Sequence, residues 1–95
     1  HNVAVFESDL LTACAGAPPA ELIIANIIAD IIIRLFDQLD RHLAPGGVLL
    51  ASGIIDDRIV DVERAAAAHG YTVLDMTCEK EWAAMIIRRS SELGC

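Results

Sequence analysis

The sequence predicts an α/β fold: a mostly parallel, doubly wound sheet that finishes in an antiparallel hairpin. Short apolar runs rich in β-branched residues alternate with segments of helical period, and glycine or proline stands at the boundaries between them. The last two apolar runs are separated by too few residues for a crossover helix.

The first element is VAVF at Val3–Phe6, a strand that ends in the polar ESD at Ser8 or Asp9. A loop with Gly16, Pro18 and Pro19 follows. Leu22–Ala25 is an unbroken apolar run, the pattern of a parallel strand covered on both faces. From Ile28 the spacing changes, and Ile28, Ile31, Ile32, Leu35, Leu39 and Leu43 share one stripe with Asp30, Arg34, Asp37 and Arg41 turned away. That spacing predicts one amphipathic helix, stopped by Pro45-Gly46-Gly47. Val48–Ser52 is the next buried strand, and Gly53 lets the chain turn. Asp56 or Asp57 is expected to cap a second helix with Ile59, Val62 and Ala66 inward, ended by Gly70. Tyr71–Met76 and Trp82–Ile87, joined by the charged link CEKE, complete the sheet.

Composition narrows the function. At 95 residues the chain is expected to form one domain, residues 1–95. Fourteen acidic against seven basic side chains give a formal charge of −7, which repels phosphate backbones and anionic membranes. The longest apolar run, Leu22–Ile33, is interrupted by Asn26 and Asp30 and falls well short of the roughly 20 residues a bilayer needs. No basic start followed by an apolar segment and a cleavage site opens the chain, and Cys14, Cys78 and Cys95 are odd in number and widely spaced. Reduced thiols and a cytoplasmic location are expected.

Ligands of parallel sheets sit outside the carboxyl ends of the strands. The rule selects Ser8 and Asp9, Asn26, and Ser52 with Gly53. Asn26, which interrupts ELIIANIIADIII, has two readings: a ligand-facing amide, or the N-cap of the following helix, the commoner use of such an asparagine. His1, His42 and His69 lack metal-ligand spacing with the cysteines, and His42 suits the negative end of its helix. Ser52 lacks the G-x-S-x-G frame of a hydrolase nucleophile and reads as a turn serine. Trp82 in EKEW either lines a substrate pocket or, as large side chains more often do, sits half-buried in the core. No neighbour evident in sequence activates Cys14 or Cys78.

The strings ELIIANIIADIII, LAPGGVLLASGII with its following DDR, AAAAHGY and EKEWAAMIIRR, spanning about Val5 to Arg89, resemble the PrmA family. That family comprises the S-adenosylmethionine-dependent methyltransferases that trimethylate large-subunit ribosomal protein eleven. The resemblance implies S-adenosyl-L-methionine as cofactor, a ribosomal protein as partner, and a lysine or N-terminal amine as acceptor. It implies that Asn26, the match to the asparagine of the family's ANI motif, lies beside the cofactor, and that Asp9 holds the adenine. It points to no general base.

The resemblance also implies strands three to seven of a seven-stranded, Rossmann-like class I methyltransferase sheet. The glycine-rich first βα turn of such a sheet is absent, since Gly16 stands alone between alanines and Gly46-Gly47 follows a helix. The chain is therefore expected to be a fragment that is inactive alone. The missing strands would bare one edge of Leu22–Ala25, so the chain is expected to self-associate through that edge or to fold Val3–Phe6 back on it. Two other classes remain open: a nucleotide-binding α/β domain of another family, which requires a glycine-rich turn, and a non-catalytic association module that uses the open strand edge.

Overall fold

The computed structural model describes residues 3–6, 19–26 and 28–92. Five strands, β1 (Val3–Phe6), β2 (Ala20–Asn26), β3 (Leu43–Ile55), β4 (Tyr71–Glu79) and β5 (Trp82–Arg89), form one sheet in the order β1-β2-β3-β5-β4. The first three run parallel, and β5 is antiparallel to both of its neighbours. This is the expected α/β sheet with its closing hairpin.

The edge of Leu22–Ala25 is not exposed. β1 pairs with it from Val3↔Leu22 to Phe6↔Ala25. Unpaired backbone donors and acceptors of a strand seek a partner, and here β1 supplies it. Of the two outcomes expected for that edge, the fold-back of Val3–Phe6 is the one observed.

The single helix expected from Ile28 is two helices, α1 (Ala29–Leu35) and α2 (Leu39–His42), with a turn at Phe36–Gln38. Ile28 is the N-cap of α1 and 58% exposed, outside the inner stripe. Phe36 is buried instead, with its ring 5.5 Å from Tyr71 and 6.0 Å from His69. The turn lets Leu35, Phe36 and Leu39 all face inward, a wider apolar face than the stripe of one straight helix allows.

Helix α3 (Ile59–Ala68) follows a 3-10 turn at Asp56–Arg58, and Arg58, not an aspartate, is its N-cap. The Asp56 amide instead donates to the Glu81 carbonyl at 3.0 Å, which draws this turn towards the β4–β5 hairpin. Arg58 ties the helices together, donating to Asp30 at 2.6 Å and to Asp61 at 2.8 Å. Gly70, at φ +83°, ends α3 as expected.

Four strands, β2 to β5, are longer than predicted, and β3 and β4 are so for separate reasons. β3 begins at Leu43 and carries Pro45-Gly46-Gly47 as a bulge, where the register jumps from Ala20↔Leu43 to Leu22↔Val48. Gly46 adopts φ +77°, and a Cβ on Gly47 would lie 2.7 Å from the Leu43 side chain and 2.8 Å from the Ala44 carbonyl. In the hairpin, Cys78 and Glu79 stay in the ladder opposite Ala83 and Trp82, leaving Lys80 and Glu81 to turn with Lys80 at φ +50°. Polar side chains do not end an edge strand whose outer side is solvated.

One face of the sheet carries the core. Ile23 and Ala25 of β2, Leu49 and Ala51 of β3, and Met85 and Ile87 of β5 pack with Ile32 and Leu35 of α1 and Val62 and Ala66 of α3. Each large aliphatic side chain buried there contributes about 1.5–3 kcal/mol of transfer free energy. Alternation puts Leu22, Ile24, Val48 and Leu50 on the opposite face, where they are half-buried. The both-face cover expected for Leu22–Ala25 is thus supplied by the described helices on one side.

At the amino ends of the parallel strands Arg89 closes the sheet. Its guanidinium donates to the Asp40 carboxylate at 2.9 Å and to the carbonyls of Leu43 and Ala44 at 2.7 and 3.0 Å. The Tyr71 hydroxyl donates to the same carboxylate at 2.8 Å. These bonds, Arg89 first, hold the Asp40 carboxyl below the usual carboxylate range. Burial, then the bond to Asp40, pushes the Tyr71 hydroxyl up.

Candidate functional site

Asn26 and Ser52 are register partners where β2 reaches its carboxyl end. Beyond Ala51 the β3–β5 ladder slips, resuming at Ile54↔Ala83, and Gly53 sits in that bulge at φ +81°. A residue other than glycine would be strained there. The bulge turns β3 just where β5 begins with Trp82. Asn26, Ser52, Gly53 and Trp82 together line an open cleft of about 440 Å³, inside the roughly 300–1,000 Å³ range usual for small-molecule sites.

Three positions chosen by the strand-end rule, Asn26, Ser52 and Gly53, are brought together here. Asp9 and Ser8 lie outside the described residues, as do His1, Cys14 and Cys95. The capping reading of Asn26 does not hold, because α1 has Ile28 as N-cap and no side-chain cap bond. The core reading of Trp82 does not hold either: the residue is 45% exposed. The signal was present in WAAMII, where Ala83, Met85 and Ile87 point into the core and period two then sends Trp82 outward.

The side chains of Asn26 and Ser52 make no hydrogen bond among the described residues, so both are available to a ligand. An amide offers two donors and an acceptor without fixed charge, and a hydroxyl offers one donor and accepts. Among the described lining residues, Asn26, Ser52, Gly53 and Trp82, no side chain is an acid or a base near neutrality, and their part is to bind and orient. Among the described residues no group of three or more His, Cys, Asp or Glu side chains is arranged to hold a metal, and no helix is long and apolar enough to cross a membrane.

Parallel strands followed by an inserted antiparallel β5, with a ligand cleft at the strands' carboxyl ends, define a Rossmann-like sheet of the class I methyltransferase type. The solved ribosomal protein L11 methylase of Lactobacillus delbrueckii subsp. bulgaricus superposes with a TM-score of 0.75 at 31% identity, over 80% of this chain and 40% of that one. The Methanococcus jannaschii fibrillarin pre-rRNA processing protein superposes over 90% of this chain and 44% of its own with a TM-score of 0.70; at 13% identity it shows the fold alone. Residues 2–90 match the family described as ribosomal protein L11 methyltransferase (PrmA), and the chain belongs to that family. The ribosomal protein L11 methyltransferase of Caldanaerobacter subterraneus subsp. tengcongensis is 44% identical over 89 residues, 94% of this chain and 28% of the relative's length. The chain thus spans under a third of that relative.

Proposed function

We propose that the chain forms the carboxyl-terminal part of a single methyltransferase domain, cytoplasmic in location, that moves a methyl group from S-adenosyl-L-methionine to an amino group of ribosomal protein L11. The observation that carries this reading is the cleft at the strand ends, where Asn26 and Ser52 present unengaged polar side chains beside an exposed indole. The donor set fits the cofactor's chemistry, since its amino-acid and adenosine parts need hydrogen-bond partners and flat apolar contact, not countercharge alone. Bound there, the sulfonium supplies an electrophilic methyl.

Asn26 positions. Its carbonyl accepts from an amino group and its NH₂ donates to a carboxylate or a second oxygen, which fixes orientation in a reaction whose rate comes largely from alignment and from excluding water. Partial burial of the attacking amine away from water also favours its neutral form, because desolvation penalises the ammonium. Asp9 is assigned to the adenine on the family resemblance.

A hybrid tests the proposal. With this chain replacing the matching segment of the Caldanaerobacter relative, labelled methyl should pass to amino groups of ribosomal protein L11. A soluble, folded hybrid that labels no amino group would refute it.

A further inference from the structure

We propose that Arg58 is a positioning residue for the cleft: its guanidinium braces the start of α1 against the turn that leads to Trp82, and so sets the spacing of the walls between which the methyl donor sits. This role rests on the donor-binding reading above and names the residue that holds those walls in place.

The lining residues stand on three separate segments, and Arg58 is where those segments are tied. Asn26 ends β2, and Asp30 follows in the first turn of α1. Ser52 and Gly53 lie in β3, which runs straight into the Asp56–Arg58 turn. Trp82 opens β5 directly after Glu81, whose carbonyl accepts from the Asp56 amide at 3.0 Å. Across these segments Arg58 donates from Nη2 to Asp30 Oδ1 at 2.6 Å and from Nε to Asp61 Oδ2 at 2.8 Å. The Asp61 bond lies within the start of α3 and orients the fork, so that Nη2 is aimed at α1. The bond to Arg58, then its nearby charge, holds the Asp30 carboxyl below its usual 3.8, so the pair is ionised at neutrality. Both carboxylates are well exposed, at 60% for Asp30 and 49% for Asp61, and exposed ion pairs add little to stability. What this one adds is direction. A planar fork that reaches two carboxylates from distinct nitrogens fixes an orientation that the point charge of a lysine does not, and a binding site needs its walls held to within about 0.5 Å.

Two readouts test the brace. Trp82 is the single tryptophan in the chain, so its indole NMR signal reports on the hairpin wall without ambiguity. Asp30→Ala, a change on α1, should move that signal, and so should Arg58→Gln. The double variant should move it no further, because both substitutions remove the same bond. In the hybrid enzyme either substitution should raise the Michaelis constant for S-adenosylmethionine about three- to tenfold, the lower part of the range for coupled residues. Turnover and the urea midpoint should stay nearly unchanged, and Arg58→Lys should recover only part of the loss. A lowered urea midpoint with an unmoved indole and an unchanged Michaelis constant would make Arg58 a tie of the fold alone and overturn the proposal, as would full recovery by Arg58→Lys. An unmodified hybrid that transfers no methyl would sink the donor reading, and the response of the Trp82 indole to Asp30→Ala would then decide the brace by itself.

Discussion

Asn26 and Ser52 face each other across the last rung of the parallel β2–β3 ladder, and their side chains are left without a partner among the described residues. A polar pair maintained at a strand tip for structural reasons would be hydrogen-bonded to its own fold. These two residues are expected to matter for binding and little for stability. Asn26→Ala should shift folding free energy by no more than about 0.5 kcal/mol, as surface substitutions do. In the hybrid enzyme it should lower methyl transfer by roughly 10- to 100-fold, the cost of one or two lost hydrogen bonds. Urea titration beside a transfer assay checks both halves.

His69 gives the fold a pH dependence. Its Nδ1 lies 2.9 Å from the Ala65 carbonyl and its Nε2 lies 2.8 Å from the Asp37 carboxylate, so only the imidazolium can donate to both. It also sits at the carboxyl end of α3, where a cation is favoured. The Ala65 carbonyl, then Asp37, raises its pKa above 6.5. A raised folded value means that this stabilisation is fully present below pH 6.5 and is lost as pH climbs through the folded pKa. The stability advantage of the native chain over His69→Gln should therefore be larger at pH 6 than at pH 9. Equal advantages at both values would contradict the imidazolium clip.

Arg89 is the stronger structural bet. Truncation to alanine takes the guanidinium donor from the carbonyls of Leu43 and Ala44 and leaves the Asp40 carboxylate with Tyr71 alone. With about 1–3 kcal/mol at stake for each unsatisfied group, Arg89→Ala should cost on the order of 3 kcal/mol in a urea midpoint measurement. The partner carboxylate has the opposite sign to His69. Because the folded pKa of Asp40 is depressed from 3.8, its contribution is present above that value and is lost as pH falls.

Gly47 tests the bulge that opens β3. A methyl there meets Leu43 and a backbone oxygen inside contact distance, so Gly47→Ala should destabilise by about 1–3 kcal/mol, the usual cost of overpacking. Thermal unfolding followed by circular dichroism suffices.

Much of this fold was legible in the residues. Period two and period 3.6 separated the strands from the helices because Ile23, Ala25, Leu49 and Met85 face a single buried layer. The misses share a cause: local chemistry was read where a tertiary contact decides. PGG looked like a helix stop but is a bulge inside β3, since β2 offers a ladder there. The charged link CEKE reads as a loop, yet its Cys78 and Glu79 pair with β5 and only Lys80 and Glu81 turn. Phe36 left the helical stripe to pack on Tyr71, which lies far away in sequence. At the site, the strand-end rule found Asn26, Ser52 and Gly53 because it depends on topology, which the pattern did reveal. For Trp82, size favours the core reading, whereas the alternation of its own strand turns it outward.

A donor of the S-adenosylmethionine type is expected to lodge at the carboxyl rim beside Asn26. Amide and indole NMR shifts of the chain titrated with S-adenosylhomocysteine report on that placement. Saturable shifts are expected at the Asn26 side chain, Ser52, Gly53 and the Trp82 indole, with Arg89 and Tyr71 at the far rim unmoved. Saturable shifts clustered at Arg89 and Tyr71, with those four signals unchanged, would contradict it.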